Sequence, residues 1–79
     1  MPELKQLLAN MVRAIVDQPD QVRVEEDKEG DTLVFTLYVA ESDMGKVIGR
    51  RGRNARSLRA VMKAAATVAG VKAVVDIAE

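Results

Sequence analysis

Two periodicities divide the chain. Over residues 3–17, Leu4, Leu7, Leu8, Met11, Val12, Ile15 and Val16 recur at i, i+3, i+4 and i+7, the spacing of one helix face. This predicts an amphipathic helix whose apolar face packs into a core and could also supply part of a dimer face. Pro2 is tolerated at a helix start. Asp17-Gln18-Pro19-Asp20 should end the helix, because a residue before proline is pushed out of the helical region. The period then changes to two. Val22 and Val24 alternate with polar and charged residues over Gln21–Asp27, as in a half-exposed strand. Lys28-Glu29-Gly30-Asp31 reads as a hairpin turn, and Thr32–Ala40 as a second strand. Leu33, Phe35, Leu37 and Val39 share one of its faces; Val34, Thr36 and Tyr38 share the other.

After a loop at Glu41-Ser42-Asp43, Ser42 or Asp43 is suited to cap a short helix reaching Val47 or Ile48. A glycine-rich stretch follows, then a long helical pattern over Arg53–Ala69 with Gly70 as its stop. Its expected core face is Ala55, Leu58, Val61, Met62, Ala65, Val68 and Ala69, with Arg53, Arg56, Arg59 and Lys63 roughly opposite. Val71–Ile77 alternates again and reads as a last strand. The predicted order is α-β-β-α-loop-α-β, an α+β fold forming one domain over residues 1–79, with no repeat, linker or low-complexity segment.

Composition removes several function classes. The chain has no cysteine and no histidine. A disulfide framework, a thiolate zinc site and any Ser-His or Cys-His pair are therefore excluded. No metal or cofactor is expected. The acidic group Glu25, Glu26, Asp27, Glu29 and Asp31 surrounds a surface turn without an apolar shell, and reads as a solvated hairpin end. No apolar run approaches a membrane span of about 20 residues, and no basic-then-apolar signal pattern opens the chain. The expectation is a soluble, cytoplasmic protein without a membrane partner.

The net charge of zero hides an asymmetry. Residues 1–43 are predominantly acidic. Residues 44–75 carry Lys46, Arg50, Arg51, Arg53, Arg56, Arg59, Lys63 and Lys72 and no acid. Such a distribution points to a polyanion partner where overall charge does not.

The basic half centres on Gly45-Lys46-Val47-Ile48-Gly49-Arg50-Arg51-Gly52-Arg53-Asn54-Ala55. Glycine permits positive φ and close backbone approach. A tight loop feeding a helix start gathers free N–H groups and the positive end of the helix dipole, which suits an anion. Cations are mildly unfavourable in a first helical turn, yet Arg50, Arg51, Arg53 and Arg56 surround this one. An incoming phosphate would resolve that conflict. The plain alternative is a helix–helix turn with solvent-exposed arginines. Other glycine motifs fit worse. A P-loop needs Ser or Thr where Val47 follows Gly45-Lys46. The dinucleotide fingerprint needs other spacing and a strand running straight into the loop.

With its flanks, this loop resembles the hallmark of the KH domain, Val/Ile-Ile-Gly-x-x-Gly between two helices, here Val47-Ile48-Gly49-Arg50-Arg51-Gly52. The element order matches the type II arrangement. The run Gly49 to Ala66 is similar to the small bacterial single-KH proteins of the KhpA (YlqC-like) family, and the resemblance covers nearly the whole chain. It implies a three-stranded sheet with helices on one face and a groove for about four single-stranded nucleotides. By position, Gly49 and Gly52 would let the backbone approach the sugar–phosphate chain, and Arg50 and Arg51 would contact phosphates. Val47, Ile48 and Ala55 would floor the groove, with Lys46, Arg53, Asn54 and Arg56 flanking it. Ala55 departs from the larger aliphatic residue common in KH domains. Bases would be read by apolar contact and edge hydrogen bonds. Family members are also implied to form homodimers or to pair with a larger KH-containing protein.

The reading that follows is a non-enzymatic RNA-binding module, a chaperone or post-transcriptional regulator, with single-stranded DNA as an alternative ligand. The competing reading is a protein–protein assembly module whose RNA binding is weak or partner-dependent. An enzyme acting on a phosphate ligand is disfavoured, because no general base or nucleophile accompanies the loop.

Overall fold

The computed structural model describes all of residues 1–79. Helix α1 spans Pro2–Arg13, with Pro2 at its start and Glu3 in its first turn. Leu4, Leu8, Ala9 and Val12 are buried along one face. The helix is shorter than its apolar pattern predicts. Its last turn tightens where the Ile15 N–H donates to the Val12 carbonyl oxygen, 3.0 Å. The next amides leave the helix for a distant acceptor. The backbone N–H groups of Asp17 and Gln18 donate to the two carboxylate oxygens of Asp43, each at 3.0 Å. Ile15 and Val16 thus lie beyond the helix. Ile15 is exposed, and Val16 still packs against the core.

Pro19–Gln21 forms a single 3-10 turn, which delays strand β1 to Arg23–Glu29. Strand β2 is Thr32–Tyr38, two residues shorter than expected. The two are antiparallel, and Glu29 pairs with Thr32. The turn is therefore only Gly30-Asp31, with Gly30 at φ 62°, the sign that primed hairpin turns require.

Helix α2 is Met44–Ile48, α3 is Arg53–Val68, and β3 is Lys72–Ile77. The sheet order is β1-β2-β3, with β3 parallel to β2. That parallel pairing requires a crossover, which α2, the glycine loop and α3 supply. The Val71 N–H reaches the Ala66 carbonyl oxygen at 2.9 Å and the Gly70 N–H that of Thr67 at 3.1 Å. These two bonds make a Schellman stop, with Gly70 at φ 79°.

The core lies between one sheet face and the helices. Val24, Phe35, Leu37 and Val75 from the strands meet Leu8, Val12, Val47, Leu58, Met62 and Ala66. On α3 the buried stripe is Ala55, Leu58, Met62 and Ala66, narrower than the predicted face. Val61 and Val68 are 44% and 90% exposed. At about 100° per residue both lie well outside the stripe: Val61 sits beside Met11 and Ile15, and Val68 faces solvent. Ala69 points along the stripe but lies past the end of α3 and is exposed. No helix is long and apolar enough to cross a membrane.

Candidate nucleic-acid interface

The loop between α2 and α3 has one permitted construction. Gly49 ends α2 at φ 77°, ψ 172°, a region essentially restricted to glycine. A methyl group there would sit 2.7 Å from Cγ of Asn54 and 2.9 Å from both its Cβ and its backbone nitrogen. Asn54 is held in that position by donating from Nδ2 to the Lys46 carbonyl oxygen, 2.7 Å. This satisfies one carbonyl that α2 leaves unpaired at its C-terminus. The Gly52 N–H closes the loop on the Gly49 carbonyl oxygen at 3.1 Å. Gly52 is left-handed at φ 72°, ψ 16°. So is Arg51, at φ 58°, ψ 26°, and it is the one non-glycine residue with positive φ.

The electrostatics are equally one-sided. No side chain caps α3, and its first turn contains no acid. The ion pairs of the molecule are Met1 with Glu26, Arg23 with Glu25, Lys46 with Asp17 and Lys72 with Asp31. Arg50, Arg51, Arg53 and Arg56 belong to none of them, and all four are exposed. The positive end of a sixteen-residue helix and four unpaired guanidinium groups thus meet at one place.

Beside the loop runs a groove of about 290 Å³. Ile48, Arg51 and Gly52 form one wall, Ala55, Arg56 and Arg59 the side along α3, and Ile77 and Glu79 the far wall. Arg59 bridges the walls by donating from Nε to the Val75 carbonyl oxygen, 3.3 Å. β3 is an edge strand, so its outer backbone groups are otherwise free to meet polar edges of a ligand.

The residues singled out from the sequence divide into three groups. Gly49, Arg50, Arg51 and Gly52 form the loop itself. Ile48, Ala55 and Arg56 line the groove; Ala55 is buried yet stands apart from the main core cluster. The others lie elsewhere. Val47 is fully buried in the core, because α2 turns it inward and presents the next residue, Ile48, to the groove. Asn54 faces an apolar cleft of about 320 Å³ between α1 and α3. Lys46 is engaged with Asp17, and Arg53, like the loop's own Arg50, is exposed outside the groove wall.

Asp43 does not cap α2 through its side chain. Its carboxylate, only 1% exposed, latches the 17–18 turn instead. Arg59, Ile77 and Glu79 were not among the expected site residues. Arg59 was readable as a groove residue, since it stands one turn after Ala55. Nothing in the sequence marks Glu79. Elsewhere on the surface, no group of three or more acidic side chains converges as a metal site would require.

A glycine loop between two short-linked helices, beside the edge of a three-stranded sheet in α-β-β-α-α-β order, defines a type II KH domain. Comparison with known sequences agrees. The model of the family "KhpA/KhpB, KH domain" matches residues 5–77, and the chain belongs to that family. Among its relatives is the RNA-binding protein KhpA of Clostridium acetobutylicum, 45% identical over 94% of this chain and 99% of that protein. The protein of the same name from Halalkalibacterium halodurans is 50% identical over 81% of this chain and 84% of its own length. That from Chlamydia trachomatis is 34% identical over 96% and 97%. Among solved structures, Aquifex aeolicus Era bound to GDP·AlF4− aligns with a TM-score of 0.54 at 15% identity. The match covers 94% of this chain and 30% of Era, and bears on the fold alone.

Proposed function

We propose that this protein is a non-enzymatic RNA-binding module that grips single-stranded RNA through Gly49-Arg50-Arg51-Gly52. The observation that carries the reading is the convergence of unpaired arginines with the uncapped start of α3 on a left-handed loop. The names of the relatives support the ligand class. Phosphates would meet Arg50, Arg51 and the α3 amides, with Arg53 and Arg56 alongside. Bases would turn toward Ile48, Ala55 and Ile77. With about four nucleotides per groove, affinity is low and selectivity weak, as suits an RNA chaperone or post-transcriptional regulator in the cytoplasm. The test is binding of a short labelled RNA to wild type and to Arg50→Asp/Arg51→Asp, with circular dichroism in parallel. A folded variant that loses most of its affinity supports the clamp. Equal binding by both proteins would move the site elsewhere.

A second reading, assembly through this fold, is favoured by the cleft that Met11, Ile15, Leu58 and Val61 share. Ile15 and Val61 expose 38% and 44% of their surface there. We infer that this face takes a second copy of the chain, or a larger KH-containing protein in its place. Asn54 lines the same cleft, so the partner would sit just behind the glycine loop.

A further inference from the structure

A second cleft, of about 450 Å³, opens where β2 leaves the sheet; Tyr38, Val39, Glu41, Met44, Ala78 and Glu79 line it. Glu79 belongs to both this cleft and the arginine-lined groove. The two are therefore neighbours across one side chain. The cleft is built on fixed parts. The Ala78 N–H donates to the Leu37 carbonyl oxygen at 2.9 Å, holding the chain after β3 against β2. The Tyr38 hydroxyl donates to Glu25 at 3.0 Å, and the Arg23 guanidinium stacks 4.2 Å from the ring centroid.

The chemistry of the two clefts differs. The groove carries Arg51, Arg56 and Arg59; the second cleft has an apolar floor, two carboxylates, Glu41 and Glu79, and no cation among its lining residues, Arg23 on the Tyr38 ring being paired with Glu25. Carboxylates accept hydrogen bonds and repel phosphate. Such a cleft suits a flat apolar group with amino donors on its edge. Among nucleobases, adenine, cytosine and guanine carry an exocyclic amino group and uracil does not.

We propose that this cleft is an additional nucleobase subsite, continuous with the phosphate-gripping groove, in which Glu79 favours an amino-bearing base. The proposal rests on the RNA-binding reading above. An RNA strand held by the glycine loop extends past Ile77 and turns one further base over Glu79 onto Met44 and Val39. No new phosphate contact is made there, so the subsite adds affinity without adding salt dependence.

The test is anisotropy with labelled tetramers and hexamers of adenosine and of uridine, on wild type, Met44→Glu and Glu79→Gln. Met44→Glu is expected to leave tetramer binding within twofold and to weaken the adenosine hexamer about five- to tenfold, the effect of losing one seated base. Glu79→Gln should reduce the preference for the adenosine hexamer over the uridine hexamer, because the amide offers both donor and acceptor. Circular dichroism checks both folds, and Glu79→Gln carries the test alone if Met44→Glu unfolds. Unchanged hexamer affinity and base preference in the folded variants would overturn the subsite while leaving the groove intact. Failure of the wild type to bind any oligomer would overturn the groove reading and the subsite with it.

Discussion

At Gly49 two constraints coincide that are usually separate. Its backbone lies in a region that side chains avoid, and the space where a Cβ would go is filled by Asn54. Gly49→Ala should destabilise the fold by roughly 1–3 kcal/mol from backbone strain, before any steric term. Adding Asn54→Ala should recover little, because the Asn54 backbone nitrogen remains 2.9 Å from the new methyl. A urea-denaturation cycle over the two single variants and the double variant measures both terms. Arg51 presents the opposite case. It holds a left-handed conformation that costs a non-glycine residue about 1–2 kcal/mol. Asparagine tolerates that conformation better. Arg51→Asn should therefore be at least as stable as wild type while binding RNA more weakly. A loss of stability would show that Arg51 is held by contacts that offset its strain. The loop's arginines were legible because cations contradict what a helix start prefers, and its glycines because they permit positive φ and close backbone approach. The left-handed state of Arg51 itself was not, since no residue type announces it.

The elements were legible where local pattern governs them and displaced where a distant contact intervenes. Helix α1 shows the second case. Its apolar period continues through Val16, yet the helix stops at Arg13. Asp43, some twenty-five residues away in sequence, offers a carboxylate to the amides of Asp17 and Gln18. No local signal predicts such a bond. Burying the charge is tolerable because it accepts two N–H donors at once. The Gln18 side chain adds a third tie, donating to the Ser42 hydroxyl at 2.9 Å. Together these join the turn after α1 to the entry of α2, and so to the glycine loop. Asp43→Asn keeps one acceptor but turns an amino group toward a second N–H. It should cost about 1–3 kcal/mol of stability. Asp17→Asn removes only the exposed pair with Lys46 and should cost less than about 1 kcal/mol. Comparing the two urea midpoints separates the buried latch from the surface pair; equal losses would show that the latch contributes nothing special. On α3 the error was of width. The sequence has apolar residues across a wide arc, but only the part facing the sheet and α1 is covered.

At the scale of the whole molecule, the charge distribution and the uncovered apolar arc have separable consequences. The arginines lie on the loop and the start of α3, whereas Ile15 and Val61 lie on the cleft toward α1. On the proposed clamp each groove would engage roughly three to four phosphates of a single strand, which predicts a log–log salt slope of about −2 to −3. A slope near zero for a short RNA would sink the electrostatic clamp. If two copies meet across the α1–α3 cleft, each keeps its own groove. A tetranucleotide then binds one groove at a time and reports nothing of the dimer. A longer RNA that spans both grooves gains an effective concentration set by the span. Val61→Asp places a charge in the cleft without touching the loop. It should yield a monomer by light scattering, leave tetranucleotide affinity unchanged, and weaken binding of a long RNA while lowering its salt slope toward the short-RNA value. A loss of tetranucleotide affinity in a folded monomer would point instead to coupling through Asn54, which lines the cleft and braces the loop. In that case self-association would be part of how the groove is built. Light scattering and short-oligomer titration on this one variant distinguish a partner that multiplies grooves from one that completes them.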